Sequence, residues 1–443
     1  VWSAMTIAYK DKPEEVLARV LPGNLAALEQ DVIGPIHRLT RERAPKVAIF
    51  GPRKEVDPQL AMMYLQQGMQ PPEPMEQFSR IQEVLQQGHY ESVPVDITPQ
   101  SPIPEDADLL IVMGMAQLNE RQVWEINRVL HGGMPVIMAL QAHEYGYSPG
   151  QGGGWTISGQ ALDTGLEPMV AEFGLELGED HFLDSAMETI DLPREVNLGG
   201  LRMQTREPVR LPIQIRVTES QMDQDSPLVN RIGTLFYLWG TPVTPEPDKL
   251  AAHGLQAAVL IESSNESWEE DWNDGPIAGA TFRPSDRALL GPQPLAVLVE
   301  GEFPDTFAGR PVPTWPDAVA DTSATPLEQG PEPQPLDPAP ARLLVIGSAK
   351  MFDDNIIAAS QNALLLLNAV DYLAGNRDLL SIRAKTLTQR VIRPVSPREK
   401  VLWRLVVVLL VPVILATYGV LRAGARRREA TRYRMSVRRA DSR

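Results

Sequence analysis

Two runs of the chain, LLIVM at 109–113 and PVIMAL at 135–140, are apolar at essentially every position rather than at every second one. A strand with that pattern is buried on both faces, which places it in a mostly parallel sheet with helices on either side. The neighbouring segments fit that reading. Residues 47–50, after Pro45, read as a strand, and 75–87 carries Phe78, Ile81, Val84 and Leu85 at helical spacing. A strand follows at 90–95. Residues 120–130 set Val123, Ile126, Val129 and Leu130 on one helical face before Gly132 and Gly133 end the pattern. The succession β-α-β-β-α-β predicts an α/β fold.

From 150 to 294 the rhythm changes to turn-rich segments, with strands expected at 212–217, 234–238, 257–262 and 278–282 and a helix only at 166–173. A buried strand is expected at 295–300. Residues 303–341 hold 10 prolines in 39 residues and no apolar period, the pattern of a solvated loop in extended conformation. RLLVIG at 342–347 then reads as a strand and 360–374 as a helix. The expected organisation is therefore as follows. Residues 1–40 are the tail of an upstream domain with a lead-in segment, 41–149 the first part of an α/β domain, and 150–294 a β-rich insertion. Residues 295–302 and 342–397 complete the α/β domain around the Pro-rich loop 303–341, so its sheet is finished late in the chain.

The segment 401–421, VLWRLVVVLLVPVILATYGVL, has one charge, Arg404, in 21 residues. That is the length and character of a single transmembrane helix. Nine arginines follow it in 422–443, which the positive-inside rule assigns to the cytoplasm. Charge divides along the same line. Residues 398–443 hold 12 basic and 3 acidic residues, whereas 1–397 hold 29 basic and 54 acidic, a net −25 that repels nucleic acid. The expected arrangement is an acidic extracytoplasmic body on a bacterial inner membrane, in contact with lipid through one C-terminal span. Because 1–11 shows no signal peptide, export implies further sequence upstream.

Few motifs point to catalysis. The chain has no cysteine, so a thiol nucleophile, a thiolate metal site and a redox dithiol are excluded. No G-x-x-x-x-G-K-[ST] loop and no G-x-S-x-G elbow occur, and 150–155 resembles a phosphate-cradling loop only in its glycines. His143-Glu144 begins the histidine-glutamate pattern of zinc hydrolases, but Tyr147 stands where the second histidine belongs, and His37, His89, His131, His181 and His253 are scattered. Residues 262–274, ESSNESWEEDWND, put six carboxylates in thirteen residues without the order of a calcium loop. They read as a solvated acidic loop over Trp268 and Trp272. No catalytic, cofactor-binding or metal-binding residue is assigned.

Several blocks together resemble the GldG-like auxiliary component of ABC-2 type transport systems, a family first linked to gliding motility. They are NLAALEQDVIGPIHRLT at 24–40 followed by KVAIF, IPEDADLLIVM at 103–113, LNERQVWEINRVLHGGM at 118–134, and the stretch 162–184. DSPLVNRIG at 225–233, AVLIESSNESWE at 258–269, PLAVLVEGEF at 294–303 and, most specifically, 342–383 with the span and arginine tail behind it continue the match. The resemblance implies a non-catalytic extracytoplasmic subunit with a glutamine-amidotransferase-like (flavodoxin-like) α/β domain. It would work beside a separate permease and ATPase and without a cofactor. Where family segments often carry an Asp after the late strand, this chain has Ser348. The alternative class is a membrane-anchored hydrolase using the carboxylates of 262–274 or His143 with Glu144.

Overall fold

The computed structural model describes residues 43–374 apart from 55–57, 72–74, 151–153, 199–200, 231, 283–287 and 317–335. It also describes 5–10, 14–17 and isolated positions at 32, 36, 39, 418, 422 and 423. Two compact units are distinguished, 1–388 and 389–443. In the second, Tyr418, Arg422 and Ala423 are helical, and the rest of the 401–421 segment lies outside the described residues. Among the described residues no helix is long and apolar enough to cross a membrane.

The first unit is mixed α/β, with a parallel-rich central sheet and several β-hairpins. Seven strands form the sheet: β1 (Lys46–Phe50), β2 (Glu91–Val95), β3 (Leu109–Gly114), β4 (Val136–Leu140), β5 (Gln256–Glu262), β6 (Pro294–Glu302) and β7 (Pro340–Ile346). Their spatial order is β5-β6-β7-β4-β3-β1-β2. Pairings from β2 through to β7 are parallel, while β6 runs antiparallel to both β7 and β5. Every residue of β3 and β4 is buried. Alternate side chains serve two cores. On one face Ile111, Ile137 and Leu344 meet Ile81 and Leu85 of α1 (Ser79–Gln87) and Leu365, Ala369 and Val370 of α3 (Asn362–Leu373). On the other, Leu110, Met138 and Val345 meet Val123, Ile126 and Leu130 of α2 (Glu120–His131). Helix α2 starts cleanly because Asn119 and Gln122 form a reciprocal capping box.

Three sequence expectations need correction, and one helix has no sequence signal. Helix 75–87 begins only at Ser79, since Met75–Glu76 pairs with Arg53–Lys54 as a short antiparallel strand. Its free N-terminus is satisfied from afar: Asp354 accepts hydrogen bonds from Ser79 Oγ (2.6 Å) and Arg80 N (2.7 Å). The strand expected at 278–282 shrinks to Ile277–Ala278 followed by a 3-10 turn, Gly279–Thr281. A helix at Pro58–Gln66 lacks an apolar stripe facing a core and was not expected; its Met62 and Leu65 are exposed. The largest correction concerns the Pro-rich stretch.

Its first part, 303–316, is exposed at many positions but is anchored to the core rather than free in solvent. Phe303, Phe307 and Trp315 are buried in the α2-side core. Asn127 of α2 donates to the Pro304 carbonyl (3.3 Å) and accepts from Thr306 N (3.2 Å), and His131 Nδ1 lies 2.7 Å from the Phe303 carbonyl. Arg121 sits between the rings of Trp124 (4.8 Å) and Trp315 (5.1 Å) and donates to the Pro313 carbonyl (2.8 Å). The segment is a strap laid over α2, held by isolated aromatic anchors rather than by a periodic face.

Between β4 and β5 the chain builds the β-rich part from hairpins, including His143–Pro149 with Trp155–Ala161, Ile190–Leu198 with Leu201–Val209, and Gln214–Thr218 with Thr234–Leu238. A third core of Tyr145, Ile157, Leu183, Phe236, Trp239 and Trp268 fills it. It joins the sheet tightly at Gly347, just after β7. A Cβ there would lie 2.0 Å from the Thr241 carbonyl oxygen and 2.4 Å from the Tyr237 hydroxyl, so only glycine fits.

Candidate functional site

Past the carboxyl end of β4 the chain turns out of the sheet, the usual location of ligand sites in open α/β sheets. Gln141 fixes that turn. Its buried side chain donates to the His143 carbonyl (2.8 Å) and accepts from Lys350 N (2.9 Å). His143 is the first residue of the outgoing strand, and Tyr145 and Tyr147 follow on it.

His181, first in the strand His181–Asp184, is brought alongside by pairing with Ser267–Glu270, in which it faces Glu270. The acidic segment is pinned by Asp184, which accepts from Ser264 N (2.7 Å) and Ser264 Oγ (2.6 Å). Glu262, Glu266, Glu269 and Asp271 are exposed and Trp268 is fully buried, but the segment is not the loop expected: Glu262 ends β5 and Ser267–Glu270 form a strand. Asp274 turns inward instead. Its backbone adopts φ +60°, a left-handed conformation uncommon for a side-chain-bearing residue. Its carbonyl accepts from Gly159 N at 3.0 Å.

His143, His181 and Asp274 thereby converge, each offering one ligand-capable atom within 4.8 Å of the others. The imidazole rings lie 3.9 Å apart at 36°, and His181 Nε2 is 3.3 Å from Asp274 Oδ1. His181 Nε2 also lies 2.9 Å from the Trp272 carbonyl, and its Nδ1 is 2.9 Å from the Tyr145 hydroxyl. A carbonyl only accepts, so Nε2 carries the proton and Nδ1 accepts from Tyr145. The Tyr145 and Trp272 rings stack at 6.1 Å and 15°, and Trp272 meets Phe282 edge-on.

Burial dominates the electrostatics. It pushes His143 down to about 4, with the neighbouring His181 adding to the effect and Asp274 and Asp180 opposing it, so this imidazole is neutral near pH 7. Burial raises Tyr145 well above the ordinary phenol range, and raises Tyr147 to about 12 although Trp239 and Gln214 donate hydrogen bonds to its oxygen. These phenols are hydrogen-bonding groups rather than bases. The site thus brings together two imidazoles, that of His143 neutral, and a carboxylate oxygen.

Of the sequence candidates, His143 lies in this site, whereas Glu144 lies across the hairpin from Gln160. His131 is bound to the strap, and His253 is 3.7 Å from Glu172. His181 and Asp274 carried no local signal connecting them to His143, because strand pairing and a left-handed turn join them only in the folded chain. Ser348 is structural. Its buried hydroxyl donates to the Leu238 carbonyl at 2.6 Å.

The chain belongs to the family described as "ABC-type uncharacterized transport system", whose auxiliary-component model matches residues 55–381. This is an auxiliary component of an ABC transport system, as the block resemblance implied. No curated protein matches the chain. Among solved structures, it is similar to the mmIFT52 N-terminal domain at 12% identity and TM-score 0.37, covering 74% of this chain and 97% of that one. A ThuA-like protein from Bacteroides uniformis matches at 11% identity and TM-score 0.33, covering 75% and 94%. An exo-beta-1,4-mannosidase from Opitutaceae bacterium strain TAV5 matches at 12% and 0.25, covering 81% and 38%. Likenesses this distant carry no functional argument.

Proposed function

We propose that this chain is a non-catalytic, membrane-anchored, extracytoplasmic subunit of an ABC-2 type transport system, working beside a separate permease and a separate ATPase. Family membership over 55–381 is the observation that carries the reading. The sequence supports the rest. One apolar stretch at 401–421 is long enough to span a bilayer, and the nine arginines behind it favour a cytoplasmic tail and an acidic body outside a bacterial inner membrane. The parallel order β2-β1-β3-β4-β7 supports a glutamine-amidotransferase-like, flavodoxin-like body. Glutaminase chemistry on that fold requires a thiol nucleophile, and the chain has no cysteine.

In this reading the transmembrane helix is both anchor and docking element. Arg404, Pro412, Ala416 and Gly419 exceed what plain anchoring needs, since small residues allow close helix approach and an intramembrane arginine favours a partner. The test exchanges 401–421 for an unrelated span of equal length and orientation, with protease added to intact spheroplasts as the topology control. The expected result is digestion of the body, protection of a tag after Arg443, and loss of permease and ATPase co-purification in mild detergent. A protected body would overturn the topology. Undiminished co-purification would overturn the docking role of the helix.

A further inference from the structure

We propose that His143, His181 and Asp274 form a binding site for a divalent transition-metal ion of the zinc class, tying the acidic segment to the β-rich part. The three residues come from separate stretches of chain, and the fold brings their ligand-capable atoms within 4.8 Å of one another. Two imidazoles and one carboxylate suit zinc and its first-row neighbours, whereas magnesium and calcium take all-oxygen shells.

Four features make this a built site rather than a chance meeting. Metal bonds of about 2.0–2.1 Å at tetrahedral angles set adjacent donors about 3.3 Å apart, and the His181 Nε2 to Asp274 Oδ1 separation is 3.3 Å. Asp274 Oδ1 is buried without a hydrogen-bond partner, an arrangement that a coordinated cation would resolve. The residue reaches its position through a left-handed backbone, and Gly159 makes room for it: a Cβ on Gly159 would fall 2.1 Å from Oδ1 and 3.1 Å from His181 Cε1. Finally, the Tyr145 hydroxyl lies 2.9 Å from His181 Nδ1, placed to accept from that nitrogen once Nε2 holds the ion, the contact that orients metal-binding imidazoles.

Coordination at His181 Nε2 has a defined proton balance. The Nε2 proton now given to the Trp272 carbonyl leaves to solvent, Nδ1 takes one up from solvent and donates it to Tyr145 Oη, and the Tyr145 hydroxyl proton rotates off Nδ1, so the proton count of the pair is unchanged. The released Trp272 carbonyl oxygen, 2.9 Å from His181 Nε2, or a water would supply the fourth donor.

The experiment uses the full chain, without a histidine tag, in mild detergent after chelator treatment. Zinc is titrated calorimetrically, cobalt absorption is read as a coordination probe, and thermal unfolding is followed with and without zinc. The expected result is one equivalent of zinc and a rise in melting temperature of about 3–6 °C at a hundredfold excess over Kd. Asp274→Asn and His143→Ala should each weaken binding at least about tenfold, and Tyr145→Phe about 10–100-fold as an outer partner. His253→Gln should bind like the parent chain. Asp274 is partly exposed, so its near-isosteric variant keeps the test valid even where His143→Ala fails to fold. Substoichiometric zinc in the parent chain, or binding that Asp274→Asn leaves unchanged, overturns the proposal.

Discussion

Replacing Trp315 by alanine tests whether the strap is part of the core. The indole is 6% exposed and closes the far side of Arg121, whose guanidinium also faces Trp124 and bonds Glu125 Oε1 at 3.0 Å. A buried Trp removes roughly 150–250 Å² from water, which at about 25 cal/mol per Å² sets a ceiling of about 4–6 kcal/mol. Measured Trp-to-Ala losses run at about 3–5 kcal/mol. The strap remains attached through Asn127 and His131, so the hole cannot fully collapse, but local undocking relieves part of the cost. The expected loss is about 3 kcal/mol. It would be read from urea midpoints by far-ultraviolet circular dichroism on the full chain, a signal that does not depend on the indole removed. A double-mutant cycle with Arg121→Met should return a coupling of about 1 kcal/mol from the cation-π contact. A loss below about 0.5 kcal/mol, typical of surface positions, would show that the strap is the solvated linker its proline content suggests.

Asn119→Ala should cost about 1 kcal/mol by opening the capping box of α2, with Asn119→Ser recovering most of it in the same denaturation assay. Gly347→Ala should give no soluble, cooperatively folded protein, because its methyl would press on the Thr241 backbone and the Tyr237 hydroxyl at a junction clamped by the 2.7 Å bond from Thr241 N to the Gly347 carbonyl. A folded Gly347→Ala chain with an unchanged circular-dichroism spectrum would refute that steric argument.

What the sequence made legible follows from how each element is stabilised. Strands β3 and β4 declare themselves because both faces are buried, and α2 because Val123, Ile126, Val129 and Leu130 repeat along one side. The start of α1 was hidden because its cap, Asp354, lies 275 residues from Ser79. The strap was hidden because Phe303, Phe307 and Trp315 are single anchors without a period, set among prolines that read as solvated. The candidate site was half visible. His143 and the acidic segment both drew attention, yet nothing along the chain relates them to His181, which strand pairing with 267–270 brings into place.

The position of β7 between β4 and β6 governs the order in which this molecule can be made. When β4 leaves the ribosome, its parallel partner lies some two hundred residues further on. At roughly 5–20 residues per second, that interval lasts about 10–40 s. For that time Val136-Ile137-Met138-Ala139-Leu140 has one unpaired edge and no polar side chain to guard it, the composition that invites pairing with another nascent chain. Truncations ending anywhere between 141 and 340 should therefore aggregate rather than yield a stable N-terminal half.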